Sequence, residues 1–337
     1  MTSKTAVFLV NTGTPDSPQV SDVRKYLREF LGDGKVINMP WLFRKLLVNG
    51  IIAPIRGPKS AKLYQKIWTH EGSPLLLNSR KFGDALQIAL GESYSVFVAM
   101  RYGNPSMKSA ILKASELKCN QFILVPLYPQ YADSTTGTIV AEFNRLVNKY
   151  TPQAETTIID PFFSNKGFID SFAAKIKETN PGLYDHIIFS FHGLPVKQTE
   201  RMHPGYTCNE ANCLITYSGH NSRCYYASCY ATARMISAAS GLNENGYMVC
   251  FQSRLGMNWL KPYTDDVLKE KAATGAKKLL IVSPSFVADC LETIYELGIE
   301  YKHLFMESGG EDLTMVDSLN ADQSWVETMS SIIIDHT

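Results

Sequence analysis

Asp289, Glu292 and Glu296 stand at offsets of three and seven residues in SPSFVADCLETIYELGIEY (283–301), a spacing that predicts three carboxylates on one helix face. Leu291, Ile294, Tyr295 and Leu297 crowd the same turns, and no lysine falls between Lys278 and Lys302. A solvated acidic stripe is one reading. The other is a cation or proton site, since carboxylates among apolar neighbours are costly without a partner. The natural partner is His192, which closes the apolar run Ile187, Ile188, Phe189 and Phe191 in HIIFSFHGLP. That run predicts a buried parallel strand with the histidine at the carboxyl edge of its sheet, where ligands bind in open α/β folds. A strand-end histidine satisfied by backbone is the structural alternative.

A second constellation lies just downstream. Cys208 and Cys213, then Cys224 and Cys229, form two pairs with four intervening residues each. In a chain without secretory features this density favours a metal over disulfides. The spacing is wider than the usual zinc knuckle and suits a two-iron cluster, structural zinc or free thiols. Cys119, Cys250 and Cys290 are isolated and read as small buried hydrophobes.

These residues need a scaffold, and the apolar runs supply one in duplicate. Strands are predicted near Ala6–Asn11, Val96–Met100, Phe122–Leu127 and Thr157–Asp160, then again near Ile187–Phe191, Tyr247–Phe251, Leu279–Ser283 and Leu313–Val316. The gaps between successive strands within each half leave room for the crossover helices that parallel strands require. YADSTTGTI (131–139) also rhymes with VADCLETI (287–294). The fold class is therefore α/β, two Rossmann-like doubly wound domains with parallel sheets and a cleft between them. The first covers residues 1–163 and the second 164–320, with a C-terminal helix in 321–337 able to pack back on the first.

Loops after the first-half strands carry Asn11 and Thr12, then Arg101 and Tyr102, then Tyr128, Ser134 and Thr135. NTGTP lacks the third glycine of a dinucleotide fingerprint, which argues against a nicotinamide cofactor. Tyrosines, hydroxyls and an arginine suit a flat aromatic ligand bearing carboxylates.

With 337 residues, 45% hydrophobic and 19% charged, the chain predicts a two-domain globular protein with an ample core. No apolar run approaches about 18 residues, and MTSKTAVFLVNTG enters a strand without signal-peptide anatomy, which predicts a cytoplasmic protein. Net charge is +1, yet no acidic residue occurs between Asp33 and Glu71, where Lys35, Arg44, Lys45, Arg56, Lys59, Lys62 and Lys66 fall among Met39, Trp41, Leu42, Phe43, Leu46, Leu47, Ile51 and Ile52. Basic plus apolar predicts a lip touching anionic lipid or an amphiphilic acid rather than nucleic acid. An ordinary packed surface helix is the alternative.

Over essentially its whole length the chain resembles ferrochelatase, the terminal enzyme of haem synthesis. The resemblance rests on LVNTGTPDSP, VRKYLREFLGDGKVI, GPKSAKLYQKIWTHEGSPLL, MRYGNP, PLYPQYADSTTG, SFHGLP, FQSRLGMNWLKPYT and FVADCLETIYEL. It implies a lyase that inserts Fe2+ into protoporphyrin IX or a coproporphyrin in the interdomain cleft, and the basic, apolar lip predicts peripheral contact at the inner membrane surface. His192 would handle metal and protons, Glu292 would face it across the porphyrin, and Asp289 and Glu296 would flank it. Asn11, Thr12, Arg101, Tyr102, Tyr128, Ser134 and Thr135 would line the porphyrin pocket. A cysteine-containing insertion at Thr207–Arg223 departs from the commonest pattern. It is similar to a minority bacterial arrangement and implies a [2Fe-2S] cluster on Cys208, Cys213, Cys224 and Cys229, with zinc the second choice. A cobalt-inserting sister chelatase and a non-enzymatic porphyrin or haem carrier are the competing readings.

Overall fold

Each half of the chain builds one four-stranded parallel sheet. A computed structural model describes residues 4–203 and 205–337; Met1–Ser3 of the N-terminal stretch and Pro204 lie outside the described residues. The strands are β1 (Thr5–Thr14), β2 (Tyr94–Gly103), β3 (Gln121–Pro126), β4 (Glu155–Ile158), β5 (His186–His192), β6 (Tyr247–Gln252), β7 (Lys278–Val282) and β8 (Asp312–Met315). All eight fall where the apolar runs place them. The orders are β2-β1-β3-β4 and β6-β5-β7-β8, so the same winding occurs twice.

Continuous apolar runs make the inner strands because both faces of a parallel sheet are covered by helices. In the first sheet Phe8 meets Phe97, Phe122 and Phe143 with ring centroids 5.1–5.5 Å apart. In the second, Ile188, Leu279, Ile281 and Leu313 share a core with Leu297 from the acidic segment and Phe305 from the turn of helix that follows it. Register puts Asn11 opposite Met100 and His192 opposite Gln252, both at carboxyl ends of strands.

Two compact units follow these sheets. The first takes residues up to Tyr128, Asp133–Asp160 and Asn320–Thr337; the second takes Pro129–Ala132 and Pro161–Leu319. Within the first unit the C-terminal helix Gln323–Ile334 packs on helix Pro74–Leu90, with Trp325 stacked on Phe82 at 5.7 Å.

Candidate active site and cysteine centre

His192 ends β5 held at three points. Its amide donates to Ser285 Oγ (3.3 Å), its carbonyl accepts from the Tyr225 hydroxyl (2.9 Å), and its ring Nδ1 lies 2.7 Å from the Gly193 carbonyl oxygen. A carbonyl can only accept, so Nδ1 carries the proton and Nε2 keeps its lone pair. Burial lowers the pKa of the ring while the Glu292 carboxylate opposes that shift, so the imidazole is neutral near pH 7. Gly193 is required here by close approach: a Cβ at this position would lie 2.7 Å from the Gln252 carbonyl oxygen.

The acidic segment differs from the expected α-helix. Glu292–Tyr301 is a π-helix, and Asp289 precedes it. Asp289 is buried, and its Oδ1 accepts from Thr293 Oγ1 (2.9 Å) and from the Ser318 amide (3.2 Å), which ties the start of the helix to the loop after β8. The single stripe of three carboxylates is thereby corrected. Asp289 lies before the helix, where its side chain is engaged by the Thr293 hydroxyl and the Ser318 amide. Glu292 and Glu296 remain four apart on a coil of about 4.4 residues per turn, which stacks them closely.

Their settings differ. Glu292 Oε2 accepts from the Cys290 thiol (3.0 Å), so Cys290 is more than the buried filler its isolation suggested. Glu296 accepts from the Ser253 amide (2.8 Å), the Ser253 hydroxyl and the Tyr301 hydroxyl (3.0 Å). Burial pushes the Glu296 carboxyl up to about 7, the Ser253 hydrogen bond restrains it, and the Glu292 charge adds to the rise. Glu292 is thus near enough to act on the His192 imidazole, whose Nε2 keeps its lone pair, and Glu296, poised near neutrality, is near enough to Glu292 to feel its charge. Such a set can accept, hold and release protons, or bind a hard divalent cation.

At the carboxyl edge of the first sheet, Thr12 and Tyr128 come together: the Thr12 amide donates to the Tyr128 hydroxyl at 2.7 Å, and the two hydroxyls also bond. Asn11 is buried and donates to Ser79 Oγ (2.9 Å). Gly13 takes φ +123°, and a Cβ there would collide with the Tyr102 carbonyl oxygen. Arg101 pairs with Asp33 at 2.5 Å, and the buried Tyr102 donates to the same carboxylate at 3.0 Å. The Arg101 guanidinium therefore already has an anionic partner, which the sequence reading of a lone cation did not anticipate. Ser134 and Thr135 sit on a one-turn π-helix, Asp133–Gly137.

The ferrochelatase family model matches residues 4–337. The ferrochelatase of Coxiella burnetii is 43% identical over 333 residues, covering 98% of this chain and 93% of that protein. Those of Pseudomonas fluorescens and Opitutus terrae are each 39% identical, covering 97% of this chain and 96% of theirs. The chain belongs to the ferrochelatase family. It is accordingly a lyase of haem biosynthesis, a metal chelatase, which sets aside the non-enzymatic carrier. Solved structures give the fold alone: SirB from Bacillus subtilis with Fe3+ superposes with TM-score 0.55 at 11% identity over 99% of this chain and 95% of that one. The sirohydrochlorin chelatase SirB of the spizizenii subspecies, in complex with cobalt, gives 0.52 at 9% identity over 99% and 93%.

Against that family, the cysteine segment needs its own account. Donor atoms of His203, Cys208, Cys213 and Cys224, all buried, lie within 4.8 Å of one another. A hydrogen bond with Cys224 pulls the Cys208 thiol down to about 6, toward the thiolate, while Cys224 moves up. Cys229 is not in the group. It sits inside helix Tyr225–Ser240, buried beside Tyr225, and burial pushes its thiol well up. The structure therefore does not bring the expected four cysteines together: Cys229 lies more than a helical turn beyond Cys224, and His203 stands with the other three instead. The donor set does not fit the expected [2Fe-2S] cluster. Two bridged irons would hold one pair of ligands a metal–metal separation beyond the other.

Sequence reasoning missed the residues that grip the others: Tyr225 on His192, Ser253 and Tyr301 on Glu296, Asp33 on Arg101, and His203. Only His203 left a signal, a histidine five residues before Cys208.

Proposed function

We propose that the enzyme inserts Fe2+ into a free-base porphyrin, protoporphyrin IX or a coproporphyrin, with release of two pyrrole protons. The observation that carries this reading is the fixed tautomer of His192 within electrostatic reach of Glu292, which in turn acts on Glu296. Pyrrole N–H groups are very weak acids lying in the macrocycle plane, so metal entry needs a bent ring and a base on one face. His192 Nε2 is the base. Its proton passes toward Glu292 and Glu296, whose carboxyl near pH 7 both takes and returns protons at physiological pH. Thr12 and Tyr128 contribute to the porphyrin pocket from the first sheet edge, as do Asn11, Arg101, Tyr102, Ser134 and Thr135, the paired ones through backbone and ring surface. The cysteine segment supplies no step of this chemistry.

Peripheral membrane contact from the cytoplasmic side belongs to the same proposal. No helix among the described residues is long and apolar enough to cross a membrane. Helix Trp41–Leu47 buries none of its residues, and Trp41, Leu42, Phe43 and Leu46, with Ile51 and Ile55 beyond, are all more than half exposed. Product that is poorly soluble in water leaves most easily into a lipid surface.

The test is anaerobic insertion by the purified enzyme, comparing Fe2+ with Co2+ and protoporphyrin with coproporphyrin. Fe2+ insertion that exceeds Co2+ insertion supports the assignment. Preferential cobalt insertion sinks it in favour of the sister chelatase.

A further inference from the structure

The segment after β5 has little apolar content of its own between Cys208 and Cys224, yet its cysteines are buried. Its buried cysteines converge at one point, where a bound metal would add to the order that Tyr217 on Phe163 and the Asn221 hydrogen bonds supply. Two of the donor separations are compatible with ligation of a single ion. Cys208 Sγ lies 3.8 Å from Cys224 Sγ, and Cys213 Sγ lies 3.3 Å from His203 Nε2. A tetrahedral zinc ion with bonds of about 2.3 Å to sulfur and 2.0 Å to nitrogen sets its ligands about 3.5–3.8 Å apart along each edge. Among the described residues no protein group partners His203 Nδ1, although the residue is only 3% exposed. The ring meets the cysteine group through Nε2 alone. Asn221 Nδ2 points at Cys213 Sγ (3.6 Å), the kind of outer-layer donor that steadies a coordinating thiolate.

We infer that His203, Cys208, Cys213 and Cys224 bind one tetrahedral zinc ion, and that Cys229 takes no part. The three cysteines bind as thiolates, and the protons their thiols still carry are released; zinc undergoes no redox change. The site is structural, since its four positions are all filled by protein. Its consequence reaches the catalytic histidine through one residue. Cys224 is the N-cap of helix Tyr225–Ser240, and the Tyr225 hydroxyl holds the His192 carbonyl. The metal therefore anchors the start of the helix that grips His192 from outside the porphyrin chemistry.

The inference is independent of the porphyrin reading, and its test uses metal content and spectra rather than activity. The full chain, purified anaerobically, is measured for zinc, iron and acid-labile sulfide, then reloaded with Co2+ as a coloured probe. One zinc per chain with negligible sulfide is expected, and the Co2+ form should show the charge-transfer intensity of three thiolates. Cys229→Ser should keep the metal and the spectrum. His203→Ala should release zinc to a chelator at least tenfold faster, and His203→Cys should restore retention while adding a fourth thiolate band. Two irons and two sulfides per chain overturn the inference, as do seven freely titratable thiols with no metal. Loss of zinc in Cys229→Ser with retention in His203→Ala overturns the ligand set.

Discussion

The Gly193 carbonyl decides what His192 can do. By accepting the Nδ1 proton at 2.7 Å it leaves Nε2 as the only basic nitrogen. Glu292→Gln, which keeps shape and removes charge, should lower kcat for iron insertion at least 100-fold, in line with loss of a proton-handling group. Asp289→Asn should cost less than tenfold in kcat, because Asp289 serves as a tether between Thr293 and Ser318, and about 1 kcal/mol of stability. Steady-state kinetics and thermal melts separate the two, and equal losses of kcat would contradict the division of labour. Glu296 carries a pH signature. Its folded pKa of about 7 exceeds the unfolded value of about 4.3, so the folded state holds a proton that the unfolded state has lost between those limits. The associated stability is fully present below pH 4 and is lost as pH rises through 7. Glu296→Gln should therefore match the wild type near pH 4 and exceed it by roughly 2–4 kcal/mol at pH 8, read by denaturant melts. A pH-independent difference would refute the raised carboxyl. His192 and all three carboxylates were legible in the sequence from type and spacing. The division between Asp289 and the two glutamates was not, since it depends on Thr293 and Ser318, and the latter is distant in sequence.

At the scale of elements, two segments depart from simple helical periodicity. The acidic one is a π-helix, whose wider coil the three-and-seven spacing does not encode. The other is the lip around Trp41, where the sequence showed basic and apolar residues together but not their roles. Arg44 turns inward, donating from Nε to the Gly32 carbonyl at 2.9 Å, and Lys45 lies over the Trp41 ring at 4.9 Å. Lys45, not Arg44, is the cation offered outward. Lys45→Glu should weaken binding to anionic vesicles by about 1 kcal/mol per charge removed, with strong salt sensitivity, and Phe43→Ser should weaken it regardless of salt. Co-sedimentation unchanged in both variants would reduce the lip to an ordinary surface helix. The cysteine segment was legible as a metal site from its density alone. Its ligand set was not, because His203 falls before the first pair and Cys229 looks like a partner until the helix beginning at Tyr225 carries it away.

Across the whole molecule, the chain uses one winding twice, with β1 and β5 central in sheets of matching order. That duplication was visible in the sequence because buried parallel strands are unbroken apolar runs. The assignment of residues 320–337 to the first unit shows in the stacking of Trp325 on Phe82, a contact across more than two hundred residues that no local pattern encodes. The repeated sheets carry different chemistry at their carboxyl edges, hydroxyls and aromatics on one and a base with carboxylates on the other. The central claim is that His192 is the base for iron insertion. It is tested most directly by anaerobic single-turnover mixing of Fe2+ and porphyrin with wild type and His192→Ala, following haem absorbance while porphyrin affinity is measured separately. The account predicts no haem formation by the variant with porphyrin Kd within about tenfold of wild type, a change under about 1.4 kcal/mol. Haem formation by the folded variant at a rate near that of wild type would contradict it.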